Sequence, residues 1–140
     1  MKPLQKLICL SFLLAFLAFK ADTNIDLQTK AKSEHKNIVV YFCGSDWCSI
    51  CTKFKKSFLV KTEVETLLQS QYVYYVADFP QRTKLEPNLE KYNEFLADKL
   101  NPEGEFPLLV IADENLVVKE KIHATLSEDL AFQKLKNNGK

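Results

Sequence analysis

Three of the four cysteines in this 140-residue chain fall between positions 43 and 51, beside its single tryptophan, Trp47. Two of them, Cys48 and Cys51, form a C-x-x-C pair. A thiolate is the nucleophile in disulfide exchange, and a free thiol is mostly protonated at neutral pH. Cys48 follows an apolar stretch and a short Gly44-Ser45-Asp46 turn, and the residues after it have helical spacing. A helix start offers unpaired backbone N–H groups and about half a positive charge, which favour a thiolate. Cys51 then lies on the same face one turn on. Cys48 is expected to be the exposed nucleophile and Cys51 the more buried thiol that resolves a mixed disulfide. Trp47 is expected to pack beside the pair and to form part of the substrate surface.

The same spacing also makes half of a zinc site, and Cys43, Cys48 and Cys51 together have the C-x4-C-x2-C spacing of plant-type iron–sulfur proteins. Both uses need about four ligands. No second C-x-x-C exists, the histidines are only His35 and His123, and Cys9 lies in an N-terminal apolar run. The expectation is therefore redox exchange, with no metal and no bound cofactor. Cys43 reads as a small buried hydrophobe at a strand end. The sharper alternative makes it a third redox thiol able to trap Cys48 or Cys51.

Lys2 and Lys6 precede the apolar run Leu7–Phe19, which only Ser11 interrupts and Lys20 ends. The run would span roughly 20 Å as a helix, short of the ~30 Å hydrocarbon core. Residues 1–21 therefore read as a cleaved secretory signal, with an uncleaved membrane anchor as the minority alternative. The domain is expected over 22–140. Removing the signal takes away three of the 19 basic residues and leaves 18 acidic ones, so the net charge goes from +1 to −2. That balance argues against a nucleic-acid surface. An exported domain with so few cysteines is not a disulfide-stapled scaffold, so clustered cysteines point to chemistry.

The positioning elements follow from pattern. Thr23–Glu34 reads as a helix capped by Thr23 or Asn24. Ile38–Phe42 is an apolar run without alternation, as in a strand buried on both faces. The helix from Cys48 to about Leu59 would turn Ile50, Cys51, Phe54 and Phe58 to one face, and about Thr62–Gln69 is a second helical piece. Tyr72–Ala77 reads as a strand. Asn88–Leu100 reads as a helix with Leu89, Tyr92, Phe95, Leu96 and Leu100 inward. Leu108–Ile111 and Leu116–Lys121 form an antiparallel hairpin at the sheet edge. A last helix begins at Thr125 or Ser127, with Leu130, Phe132 and Leu135 inward. The order α-β-α-β-α-β-β-α predicts an α/β fold with a central mixed sheet of about four strands and helices on both faces.

Strand, then Trp47-Cys48-x-x-Cys51 opening a helix, then Phe106-Pro107 before a hairpin resembles the thioredoxin superfamily. The fuller run Phe42-x-Gly44-Ser45-Asp46-Trp47-Cys48-x-x-Cys51, with Val76-x-Asp78-Phe79-Pro80 downstream, is similar to exported bacterial thioredoxin-like proteins. The resemblance implies a thioredoxin-like fold and a cis peptide bond at Phe106–Pro107. It also implies that Pro107 packs beside the cysteines, and that Phe106 helps shape a groove for an extended substrate segment. Departures are visible. Ser49-Ile50 between the cysteines matches neither the Gly-Pro of thioredoxins nor the His-containing dipeptides of oxidants and isomerases. The buried acid of many thioredoxins has Tyr41 at its place, and the helix-kinking proline has Lys56. Asp46 is expected to cap the helix or to place negative charge near Cys48. Lys53, Lys55 and Lys56 read as a solvated helix face.

The expected function is exchange of disulfides with protein thiols and disulfides in the periplasm, more as a reductase, fed by a membrane-linked dithiol donor. The alternative is a peptide- or metal-binding module, copper or zinc, without turnover.

Overall fold

The structure, a computed structural model, describes residues 26–139. The proposed signal over 1–21 and the Thr23 and Asn24 caps lie outside the described residues. Helix α1 (Leu27–Glu34) is followed by strand β1 (Asn37–Cys43) and helix α2 (Ser49–Phe54). A π-helical turn over Lys55–Leu59 extends α2, and α3 (Thr62–Gln71) leads into β2 (Tyr72–Asp78). Helix α4 (Pro87–Leu100), strands β3 (Leu108–Ala112) and β4 (Val118–His123) and helix α5 (Glu128–Asn138) complete the chain.

The four strands form one mixed sheet in the order β2-β1-β3-β4. β1 pairs parallel with β2 and antiparallel with β3, and β4 closes one edge as the second arm of the hairpin. Every residue of β1 is buried, which explains its unbroken apolar pattern: it is central and covered on both faces. Alternation then divides its side chains between two cores. Val39, Tyr41 and Cys43 face the layer of α2, α3 and α5, together with Phe54, Phe58, Leu68 and Leu135. Ile38, Val40 and Phe42 face α1 and α4, with Leu27, Leu96 and Leu100.

Helix starts carry the expected chemistry at shifted positions. Asp26, not Thr23 or Asn24, caps α1 by accepting the Gln28 N–H at 3.1 Å. Glu86 accepts the N–H groups of Asn88 and Leu89 at the head of α4, with Pro87 in its first turn. Ser127 caps α5. Three residues expected inward point outward: Leu89, Phe95 and Leu130 are 37%, 40% and 46% exposed. In α4 the inward places go instead to Asn93, Leu96 and Leu100. Asn93 is buried because its side chain is satisfied. It accepts the Tyr75 hydroxyl at 2.6 Å and donates to the Asp78 carbonyl at 2.8 Å.

Candidate active site

The site is built where the C-terminal end of β1 meets the start of α2. Cys48 is the N-cap of α2, in an extended conformation, and its Sγ accepts the Cys51 N–H at 3.1 Å. The two cysteines are joined in a disulfide, with Cα atoms 5.2 Å apart. Both are largely covered, Cys48 at 8% exposure and Cys51 at 3%, so the expected order of accessibility holds with a small margin. The sulfur at the cap occupies the place of an oxygen acceptor, where backbone N–H groups converge.

A turn closed by the Cys48 N–H donating to the Gly44 carbonyl at 2.9 Å sets the cap in place. Three successive residues of that turn are then tied to the end of β2 and the segment following it. The Asp78 carboxylate accepts the Ser45 N–H at 2.8 Å and the Ser45 hydroxyl at 2.6 Å. The Asp46 carboxylate accepts the N–H groups of Gln81, Arg82 and Thr83 at 2.7–3.0 Å. The Trp47 indole N–H donates to the Phe79 carbonyl at 2.7 Å. This corrects the expected role of Asp46: its carboxylate organises the 81–83 backbone, and Cys48 caps the helix itself. The Gln81 N–H leads the hydrogen bonds that hold the Asp46 carboxyl below the usual carboxylate range.

Trp47 is 39% exposed and meets Phe106 edge-on, ring centroids 5.7 Å apart, and Phe79 meets Phe106 at 5.5 Å. The Phe106–Pro107 bond is cis, and Pro107 is buried. The register pairs Phe42 with Leu108, which brings Phe106 and Pro107 alongside the end of β1. Asn101, itself buried, fixes the approach by exchanging two hydrogen bonds of 2.9 Å with the Glu105 backbone. Ile50, expected to face the core, is instead 60% exposed. It stands between the cysteines, and with Trp47 it gives the disulfide an apolar rim. Lys53, Lys55 and Lys56 are exposed, as a solvated face requires.

The indole of Trp47 demands a glycine at position 44. A Cβ there would come within 2.2 Å of the Trp47 ring. Gly44→Ala should therefore displace the indole and cost about 1–3 kcal/mol, the range for overpacking. Tryptophan fluorescence and thermal melting check this, and an unchanged emission maximum would contradict it.

Below the pair, the Tyr41 hydroxyl donates to the Cys51 carbonyl at 2.9 Å in the interior. Tyr41 thus occupies the strand position facing the helix as a hydrogen-bond donor, and burial pushes its phenol upward. Cys43 is free and 6% exposed, and its thiol makes a long contact of 3.8 Å with Asp78 Oδ1. Burial, followed by the Asp78 charge, pushes the Cys43 thiol up to about 12. The thiolate fraction at pH 8 is then ~10⁻⁴. Iodoacetamide at pH 8 should leave Cys43 unmodified in the folded protein and alkylate it after denaturation. Labelling of the native protein at the rate of free glutathione would contradict that. The sign of the linkage follows. The folded state keeps its proton up to about 12 while the unfolded thiol loses it near its ordinary value, so Cys43 makes stability fall as pH rises between them.

Of the residues singled out in the sequence, Cys48 and Cys51 are joined in the disulfide, and Trp47 meets Phe106 next to the cis bond to Pro107. The clamping carboxylates of Asp46 and Asp78 and the buried amides of Asn93 and Asn101 carried no signal in the sequence. Among the described residues no group of three or more His, Cys, Asp or Glu is placed to hold a metal.

Comparison with known proteins agrees with this geometry. The thioredoxin-like family model matches residues 18–113. The disulfide bond reductase DsbH of Chlamydia pneumoniae is 31% identical over 83 residues, 59% of this chain and 49% of the relative. The chain thus spans about half the length of that curated relative. Among solved structures, a DsbH oxidoreductase superposes with a TM-score of 0.74 at 23% identity, covering 84% of this chain and 81% of its own. A thioredoxin from Thermus thermophilus gives 0.58 at 14% identity, covering 81% and 82%. The C-terminal domain of Neisseria meningitidis DsbD, in its oxidised form, gives 0.55 at 16%, covering 80% and 89%. With the family match extending over most of the chain and the four-stranded mixed sheet beneath it, this chain belongs to the thioredoxin-like family.

Proposed function

We propose that the chain is an exported thiol–disulfide oxidoreductase that reduces protein disulfides. The observation that carries this reading is the Cys48–Cys51 disulfide at a helix start, with the Cys48 sulfur accepting a backbone N–H. The exposed Trp47 and Ile50 are its neighbours in the chain, and Trp47 meets Phe106, the residue before the cis bond to Pro107.

In the reduced protein the Cys48 thiolate attacks one sulfur of a substrate disulfide. The substrate S–S bond breaks, a new bond joins Cys48 to the substrate, and one substrate thiolate leaves. The Cys51 thiol then loses its proton and attacks the Cys48 sulfur. The Cys48–Cys51 bond forms, and the second substrate thiolate leaves. Two electrons pass from protein dithiol to substrate, with no cofactor in the cycle. The helix-start N–H that the Cys48 sulfur accepts stabilises its anionic form, the form that makes the first attack. Trp47, Phe106 and Pro107 form the substrate-binding surface, where apolar residues cover an extended peptide segment around its disulfide.

The reductase direction draws on likeness to the Chlamydia pneumoniae protein, whose name is that of a disulfide bond reductase. Such a protein in an oxidising compartment needs a donor, and a membrane-linked dithiol protein facing the periplasm fits the two-electron chemistry. Residues 1–21 would provide the export signal. Insulin reduction with dithiothreitol as the donor, together with the midpoint potential against glutathione, tests the reading. Catalysed precipitation of insulin and a potential below that of the glutathione couple support it. A protein that leaves insulin reduction at the uncatalysed rate contradicts it.

A further inference from the structure

A connection over 101–107 joins α4 to β3 and carries Phe106 and Pro107, the residues assigned above to the substrate surface. Such connections run over the surface and move more than the elements they join, so their anchors decide where their side chains stand. Two anchors grip Glu105, the residue before Phe106. From the interior, the buried Asn101 side chain donates to the Glu105 carbonyl and accepts the Glu105 N–H, both at 2.9 Å. From the outside, Glu105 Oε2 lies 2.8 Å from Nδ1 of His123, the last residue of β4. The strand register explains this reach. Leu108 pairs with His123 and Val110 with Lys121, so β4 ends where the connection enters the sheet. Lys121 and His123 are two apart on a strand and project to the same face. Each takes one carboxylate of the connection, Lys121 that of Glu103 at 3.1 Å and His123 that of Glu105. Glu120 projects to the other face and pairs with Lys134 of α5 at 2.9 Å. Charges that merely guard a sheet edge need no such matched spacing.

We propose that His123 is a positioning residue for substrate binding, which acts through Glu105 to set where Phe106 stands and so how a peptide segment beside the substrate disulfide fits. Phe106 meets both Trp47 and Phe79 edge-on, so a shift at Glu105 passes directly to the apolar wall beside Cys48. The sulfur chemistry is untouched by this contact. Its loss therefore falls on the binding of a protein substrate and not on the exchange steps themselves.

The inference rests on the exchange reaction proposed above, and the test separates the two. Reduced protein is mixed with excess insulin over a range of concentrations, and its single-turnover oxidation is followed. The pair is charged only while the imidazole is protonated, so the buffer is held at about pH 6. The rates give a half-saturating insulin concentration and a limiting rate. His123→Gln should raise the first by about threefold, in keeping with a partly exposed ion pair, and leave the second unchanged. Glu105→Gln should do the same, and the double variant should do no more than either, because all three remove one contact. His123→Lys keeps a cation on that face and should restore the wild-type value. Lys121→Gln opens only the neighbouring pair and should bind insulin as the wild type does. Hydroxyethyl disulfide has no peptide segment to lie against Phe106, and every variant should be oxidised by it at the wild-type rate. An unchanged half-saturating concentration in His123→Gln, an additive double variant, the same rise in His123→Lys or Lys121→Gln, or an equal loss with hydroxyethyl disulfide would each overturn the proposal. A wild-type protein that insulin does not oxidise would instead defeat the exchange reading itself.

Discussion

Cys48→Ser should lower insulin reduction by about three orders of magnitude or more, to the uncatalysed background, with the fold intact. The magnitude follows from the chemistry. A serine hydroxyl at the cap can still accept the Cys51 N–H, so α2 keeps its start. It cannot form the mixed disulfide, and Cys51, at 3% exposure, is more deeply placed than Cys48. Cys51→Ser should behave differently. Its first attack proceeds, and the protein then stops as a stable adduct. Equal residual activity in the two variants would contradict the assignment of roles.

Phe58→Ala should be the most destabilising single truncation near the site. Phe58 is 1% exposed on the π-helical turn and packs on Phe54 with ring centroids 5.3 Å apart. Phe54 in turn faces Tyr41 at 6.0 Å, and Tyr41 holds the Cys51 carbonyl. This aromatic series joins α2 and its π-helical extension to the central strand. Removing a buried phenyl ring costs about 3–5 kcal/mol, a large part of the ~5–15 kcal/mol by which such domains are stable. For a domain of this size the melting temperature should fall by roughly 10–20 °C. The contrasting case is Phe95→Ala, where the ring is 40% exposed and the loss should stay below about 1 kcal/mol. Urea unfolding of both variants checks the pair, and similar losses at the two positions would contradict the packing account.

Much of this architecture can be read from residue types. The apolar run Ile38–Phe42 has no polar alternation because β1 is covered on both faces, and the structure gives it that position in the sheet. The thiol pair was legible because its spacing, the turn before it and the helical pattern after it all agree. The hairpin was legible too, though β4 begins at Val118 after Leu116 takes a left-handed conformation at φ 62°. What stayed hidden depends on distance along the chain. Asp46 and Asp78 look like ordinary turn and strand-end acids until the fold sets residues 45–47 beside 78–83. Leu89, Phe95 and Leu130 share helical spacing with the inward residues, but each helix buries a narrower arc than its apolar residues occupy. Ile50 fell to the same reasoning, since a cap at Cys48 turns the next two residues outward. Asn93 and Asn101 are polar residues in interior places, and only their hydrogen bonds explain them.

The central claim is that Cys48 makes the covalent bond with substrate and Cys51 breaks it. The most direct measurement is mass spectrometry of adducts trapped by Cys51→Ser after reaction with a protein disulfide such as insulin. The account predicts one substrate chain linked through Cys48, released by dithiothreitol, with Cys43 unmodified. An adduct carried on Cys43, or no adduct under conditions where the wild-type protein reduces insulin, would contradict it.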